Sequence, residues 1–136
     1  MNILFKNISE QEIKADALIL PLFEGSDNIY SDINKATGGL ISDVIKSKEF
    51  KGKLNQTILL HVKGINSNRI LLIGLGKQSD ITSDRIRQTG GKAFSYLRGT
   101  RSKIAALSCR IFSKLPKNFA ASQMPAFYFI EGGLLG

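Results

Sequence analysis

The chain has 136 residues, which is room for one domain and little more. Apolar residues make up 43% and charged residues 22%, with 3 prolines and 13 glycines, which excludes a disordered or fibrous chain. Lys and Arg outnumber Asp and Glu by 19 to 11, a net charge of +8, and no apolar run reaches the roughly 18 residues of a membrane-spanning helix.

In chain order, Asn2–Lys6 is a short apolar run that predicts a strand. Ala17–Leu22 is continuously apolar, the pattern of a strand covered on both faces of a parallel sheet. Pro21 has no N–H for a ladder, so this strand should end there or lie at an edge. Gly25–Asn28 reads as a loop, and Ser31 is placed to cap a short helix over Asp32–Thr37. Leu40, Ile41, Val44 and Ile45 recur at helical spacing after Gly38-Gly39. Gly52–Asn55 is turn-like, Gln56–Val62 is strand-like, and Asn66–Asn68 is a short turn before the clearest strand, Arg69–Gly74. That spacing predicts an antiparallel hairpin.

A long helix comes next, with Ser79, Asp80 and Thr82 as candidate caps and Gly99 as its stop. Ile86, Gly90, Ala93 and Leu97 form one stripe of it. Gly90-Gly91 in a helix interior costs on the order of 1 kcal/mol per glycine against alanine, so the pair predicts a close approach between helix and sheet. Lys103–Ser108 is a further strand, and Cys109–Phe119 is irregular, with Lys114–Asn118 loop-like. Ser122 can cap a last helix, with Pro125 in its first turn. From Pro125 to Gly136 the one charge is Glu131, and a helix apolar all round needs a cover. Such an ending reads as a chain cut at a domain boundary.

The charge is uneven. Residues 1–50 carry net −3 and residues 51–136 net +11. The basic half could attract nucleic acid weakly and in a salt-sensitive way, although a solvated surface reads the same. Arg85 and Lys92 fall on one side of the long helix and Arg87 and Arg98 on another, flanking the apolar stripe, with no interleaved aromatic ladder. His61, the single histidine, lies in an apolar strand and reads as a histidine bonded to its surroundings. Cys109 reads as a small core residue; a lone cysteine builds neither an internal disulfide nor a multi-thiolate metal site, and points to a reducing, cytosolic compartment. No basic and apolar leader follows Met1, so no secretory signal or membrane contact is expected. The aspartates are scattered, with no metal-ligand spacing, so no cofactor or metal is expected in this chain. Gly74-Leu75-Gly76-Lys77 could present amides and a cation to an anion at a helix start. The dinucleotide fingerprint fails for want of a third glycine at Ser79, and a tight strand-to-helix turn fits the same residues.

Arg69–Lys77, then Ile81-Thr82 and Arg85–Ala93, and finally Phe129-Ile130-Glu131-Gly132-Gly133-Leu134-Leu135-Gly136, resemble the N-terminal domain of the leucyl (cytosol) aminopeptidases. The resemblance implies a macro-like, three-layer α/β domain with a mixed, mostly parallel sheet of about five or six strands flanked by helices. It also implies a cytoplasmic hexamer in which this domain joins a catalytic domain carrying two divalent metals, zinc or manganese. The lysine, aspartate and glutamate residues of that site have no counterpart among residues 1–136, so the implied role here is a non-catalytic scaffold, with Phe127, Phe129, Ile130 and Leu134 divided between the local core and a domain or subunit interface. A rival reading is a stand-alone macro-like module binding nucleic acid or a nucleotide such as ADP-ribose. Against it, Pro21-Leu22-Phe23 stands where polar asparagines would hold a ribose, and each unpaired hydroxyl would cost about 1–3 kcal/mol.

Overall fold

The computed structural model of the chain describes residues 2–4, 9–25, 29–115 and 125–135, with side chains described over 9–25, 29–115 and 128–133. Ala17–Phe23 (β2) is buried along its whole length. Its side chains alternate between two cores: Ala17, Ile19 and Phe23 on one side, Leu18, Leu20 and Leu22 on the other. Arg69–Gly76 (β4) divides in the same way, with Leu71, Ile73 and Leu75 opposite Ile70 and Leu72. Continuous apolar runs are therefore strands buried on both faces, each fully covered Leu or Ile contributing about 2 kcal/mol.

With Asn2–Leu4 (β1), Thr57–His61 (β3) and Ile104–Leu107 (β5), they form a five-stranded sheet of order β1-β5-β2-β4-β3. β1–β5, β5–β2 and β2–β4 run parallel; β3 and β4 are the expected antiparallel hairpin. Ser31–Ala36 (α1) and Leu40–Lys46 (α2) supply Ile33, Ile41 and Val44 to one face. Ser83–Gly99 (α3) and Pro125–Leu135 (α4) supply Ile86, Phe94, Leu97 and Phe129 to the other. The result is the expected three-layer arrangement of helices, sheet and helices.

Pro21 neither ends β2 nor lies on an outer edge. β5 pairs with β2 only as far as Ile19, whose carbonyl accepts the Ser108 N–H at 3.0 Å. Pro21 shares the parity of Ile19, so its missing N–H faces the side where β5 has already stopped. Its carbonyl on that side accepts the Tyr30 hydroxyl at 2.8 Å. That tyrosine also displaces the expected cap. The N-cap of α1 is Tyr30, with no side-chain cap bond, and Ser31 is already helical. Thr82 caps α3 as expected, accepting the Arg85 N–H at 3.2 Å. Gly99 is the last residue of that helix rather than the residue beyond it. The Ser122 cap lies outside the described residues.

Candidate functional site at the crossing of α3 and α4

Gly90 and Gly91 do not face the sheet. They face α4, and two glycines of α4 face back. A Cβ on Gly90 would strike the carbonyl oxygen of Phe129, and one on Gly132 would strike the carbonyl oxygen of Arg87. A Cβ on Gly133 would enter the Phe94 ring, and one on Gly91 would crowd the Gly132 carbonyl at 3.2 Å. Each helix thus presses a glycine against the other's backbone, which sets the axes closer than side chains permit. The sequence signal for close approach was sound, but the partner is a helix.

Polar groups lock the crossing. Arg87 Nε donates to Glu131 Oε1 at 2.8 Å, its Nη1 donates to Asp84 at 2.7 Å, and its guanidinium carbon stands 4.4 Å over the Tyr128 ring. The Glu131 hydrogen bond pushes the arginine pKa further up. Arg98 donates to the Gly133 carbonyl at 3.2 Å. Glu131, the one charge of the last segment, therefore has a dedicated partner. Phe129 is fully buried, 5.9 Å from Phe94 edge-to-face and 6.2 Å from Phe112. Of the expected interface residues, Phe129 is wholly local core and Ile130 is half-buried; the side chains of Phe127 and Leu134 lie outside the described residues.

The Gly74–Lys77 stretch is the end of β4 rather than a free phosphate loop. Gly74 donates to Gln56 at 2.8 Å and Gly76 to Gly52 at 2.9 Å, so both amides are already engaged. A Cβ on Gly74 would strike the Lys53 carbonyl, which explains the glycine by backbone crossing. Lys77 is exposed. His61 is exposed at the end of β3. Cys109 is exposed rather than buried; crowding of its sulfur and the Glu10 charge push its thiol up, the opposite of what a nucleophile needs.

One cluster escapes sequence reasoning. Arg110 makes paired bonds to Glu10 at 2.8 and 3.1 Å and to Asp32 at 2.7 and 3.1 Å, and donates to the Ile29 carbonyl at 2.8 Å. Ser108 donates to Glu10 at 2.8 Å, and buried Tyr30 lies beneath the guanidinium. Burial raises the Glu10 carboxyl, but the Arg110 and Ser108 hydrogen bonds outweigh it and leave it lowered. Arg110 lowers Asp32 likewise. The cluster ties the loop before β2 to α1 and to the end of β5. Among the described residues no three of His, Cys, Asp and Glu group to hold a metal, and these two carboxylates are already bridged by an arginine. The described residues therefore do not fit a pair of divalent metals. A shallow apolar depression lies at the end of β2, lined by Leu22, Phe23, Ile45 and Phe50 with Lys51 on its rim. It offers a ribose few polar partners. Arg87 and Arg110 pair with carboxylates within the chain, which reduces the free charge of the basic half, whereas Arg69 and Arg98 donate to backbone carbonyls and keep theirs.

Comparison with known proteins places these features. Residues 19–124 match the model of the cytosol aminopeptidase family, N-terminal domain. A probable cytosol aminopeptidase of a Geobacter species is 36% identical over 103 residues, covering 74% of this chain and 21% of that protein. One from Burkholderia pseudomallei is 38% identical over 91 residues, covering 65% of this chain and 18% of that protein. A mutant of tomato leucine aminopeptidase superposes with a TM-score of 0.76 at 21% identity, over 100% of this chain and 28% of the other, which speaks for the fold. The chain thus spans about a fifth of the length of the curated relatives it matches.

Proposed function

The chain belongs to the cytosol aminopeptidase family, whose N-terminal domain it carries, and from that premise we propose that it is the non-catalytic scaffold of a metal-dependent aminopeptidase. In this reading the whole enzyme releases N-terminal amino acids from peptides in the cytoplasm, two zinc or manganese ions lie in a separate catalytic domain, and the assembly is a hexamer. The bound metals would polarise the peptide carbonyl and supply an activated water. In this reading none of that chemistry falls to the described residues, whose contribution is mechanical.

The observation that carries the reading is the α3–α4 crossing. The family match ends at residue 124, and α4 begins at Pro125, locked to α3 through backbone contact and the Arg87–Glu131 pair. A helix held by its backbone points in one fixed direction, which suits a domain that orients a catalytic neighbour. The test is a chimaera in which residues 1–136 replace the corresponding domain of the Geobacter relative. It should release leucine from peptides, and Gly132→Ala should lower both activity and thermal stability. The isolated chain with Zn²⁺ or Mn²⁺ should release none. Release by the isolated chain, or a chimaera indifferent to Gly132→Ala, overturns the reading.

A further inference from the structure

The two edges of the sheet differ. β1 spans three residues and offers little backbone to a neighbour. β3 is Thr57-Ile58-Leu59-Leu60-His61, without Lys, Arg, Asp, Glu or Pro and in unbroken register with β4. It lacks the usual devices that blunt an edge. Gly74 donates to the Gln56 carbonyl at 2.8 Å, and Val62 donates to Asn68 at 3.1 Å. These bonds fall on even residues, so Ile58 and Leu60 bond to β4 while Thr57, Leu59 and His61 turn their N–H and C=O groups outward. Among the described residues none pairs with that side, because β3 closes the sheet order. Leu59 is half-buried on one face of the sheet and Ile58 and Leu60 on the other.

We propose that this edge pairs with the β3 edge of a second copy of the chain, about a two-fold axis through Leu59. Antiparallel pairing in that register sets Leu59 against the partner's Leu59 and Thr57 against the partner's His61. Every outward N–H then meets an outward C=O, with no group left over. Leu59 meets the partner's Leu59 on one face and Ile58 the partner's Leu60 on the other, so both faces gain apolar cover. The histidines lie at opposite ends of the pair. Thr57–His61 carries no Lys, Arg, Asp or Glu to set like charges together, so the strand is complementary to itself in bonding and apolar contact, which is what an isologous interface requires. The surface is separate from the α3–α4 crossing, and its test does not depend on that reading.

Sedimentation of the 136-residue chain over roughly a hundredfold range of concentration should reveal a species of twice 14.9 kDa that dissociates on dilution. Leu59→Pro removes an outward donor and leaves the β4 ladder bonds of Ile58 and Leu60 in place; it should be monomeric with an unchanged far-ultraviolet spectrum. Amide exchange on the unaltered chain gives a second test that needs no variant to fold. The N–H groups of Thr57, Leu59 and His61 should exchange at least tenfold faster on dilution, while those of Ile58 and Leu60 stay slow at both concentrations. A monomer throughout, a dimer indifferent to Leu59→Pro, or outward amides whose exchange ignores concentration overturns the proposal. Pairing with a foreign extended peptide but not with itself does so too.

Discussion

The two faces of the sheet are covered by different physics. On one face α1 and α2 pack in the ordinary way, through Ile33, Ile41 and Val44 set against Leu18, Leu20 and Leu72. On the other, α3 and α4 bury Ile86, Phe94, Leu97 and Phe129 and in addition press backbone against backbone, glycine to carbonyl in both directions. Ordinary packing tolerates small changes of shape by repacking. A glycine against a carbonyl has no side chain to move aside. The α3–α4 face should therefore be far less forgiving than the α1–α2 face, although both bury similar apolar residues.

The sharpest way to break this comparison is Gly90→Ala, whose methyl would meet the Phe129 carbonyl. A loss of about 3 kcal/mol is expected in denaturant unfolding, the upper end for overpacking. The matching change on the other face, Val44→Ala in α2, should lose less, about 1–2 kcal/mol, because Val44 lies at the margin of its core.

Arg110→Ala comes next. It strands Glu10 and Asp32, but the arginine side chain is 30% exposed, so about 2 kcal/mol is expected rather than the loss of a fully buried pair. Its pH dependence derives from the two lowered carboxyls. Groups whose folded pKa is depressed stabilise the fold above their unfolded values, near pH 4, and that stability is lost as pH falls through the folded values. Acid titration of unfolding should accordingly show a shallower decline below about pH 4 in Arg110→Ala than in the unaltered chain.

Asp16→Ala tests the strand ends. Asp16 Oδ2 accepts the N–H groups of Lys103 and Ile104 at 2.7 and 2.9 Å, which hold its carboxyl below the usual range. About 1 kcal/mol should be lost, with Asp16→Asn recovering part of it, both read by thermal melting. The smallest effect belongs to Glu131→Gln. Both partners of the Arg87 pair are about one-third exposed, so about 0.5 kcal/mol is expected, further reduced by salt.

How much of the fold the sequence discloses depends on where the information lies. Strands buried on both faces announce themselves as apolar runs, the hairpin by its short turn, and α3 by its stripe, because each is a local pattern. Gly90-Gly91 disclosed closeness but not its partner, since a glycine pair says that something approaches and not what. Pro21 was legible as a missing donor, but its harmlessness depends on where β5 stops, a fact held nearly ninety residues away. The Arg110 cluster joins residues separated by 100 and 78 positions, and no spacing rule reaches that far. Cys109 was misplaced because an apolar neighbourhood in sequence does not fix which end of a strand is covered. Tyr30 was hidden for the opposite reason: a loop residue gives no sign that its ring will be buried.

The central claim is that backbone contact with α3 holds α4 in place. Residue-resolved amide exchange of Gly90→Ala beside the unaltered chain tests it most directly. The amides of Tyr128–Gly133 should lose most of their protection while those of β2 and β4 keep theirs. Unchanged protection in α4, or an equal loss across the whole sheet, would contradict it.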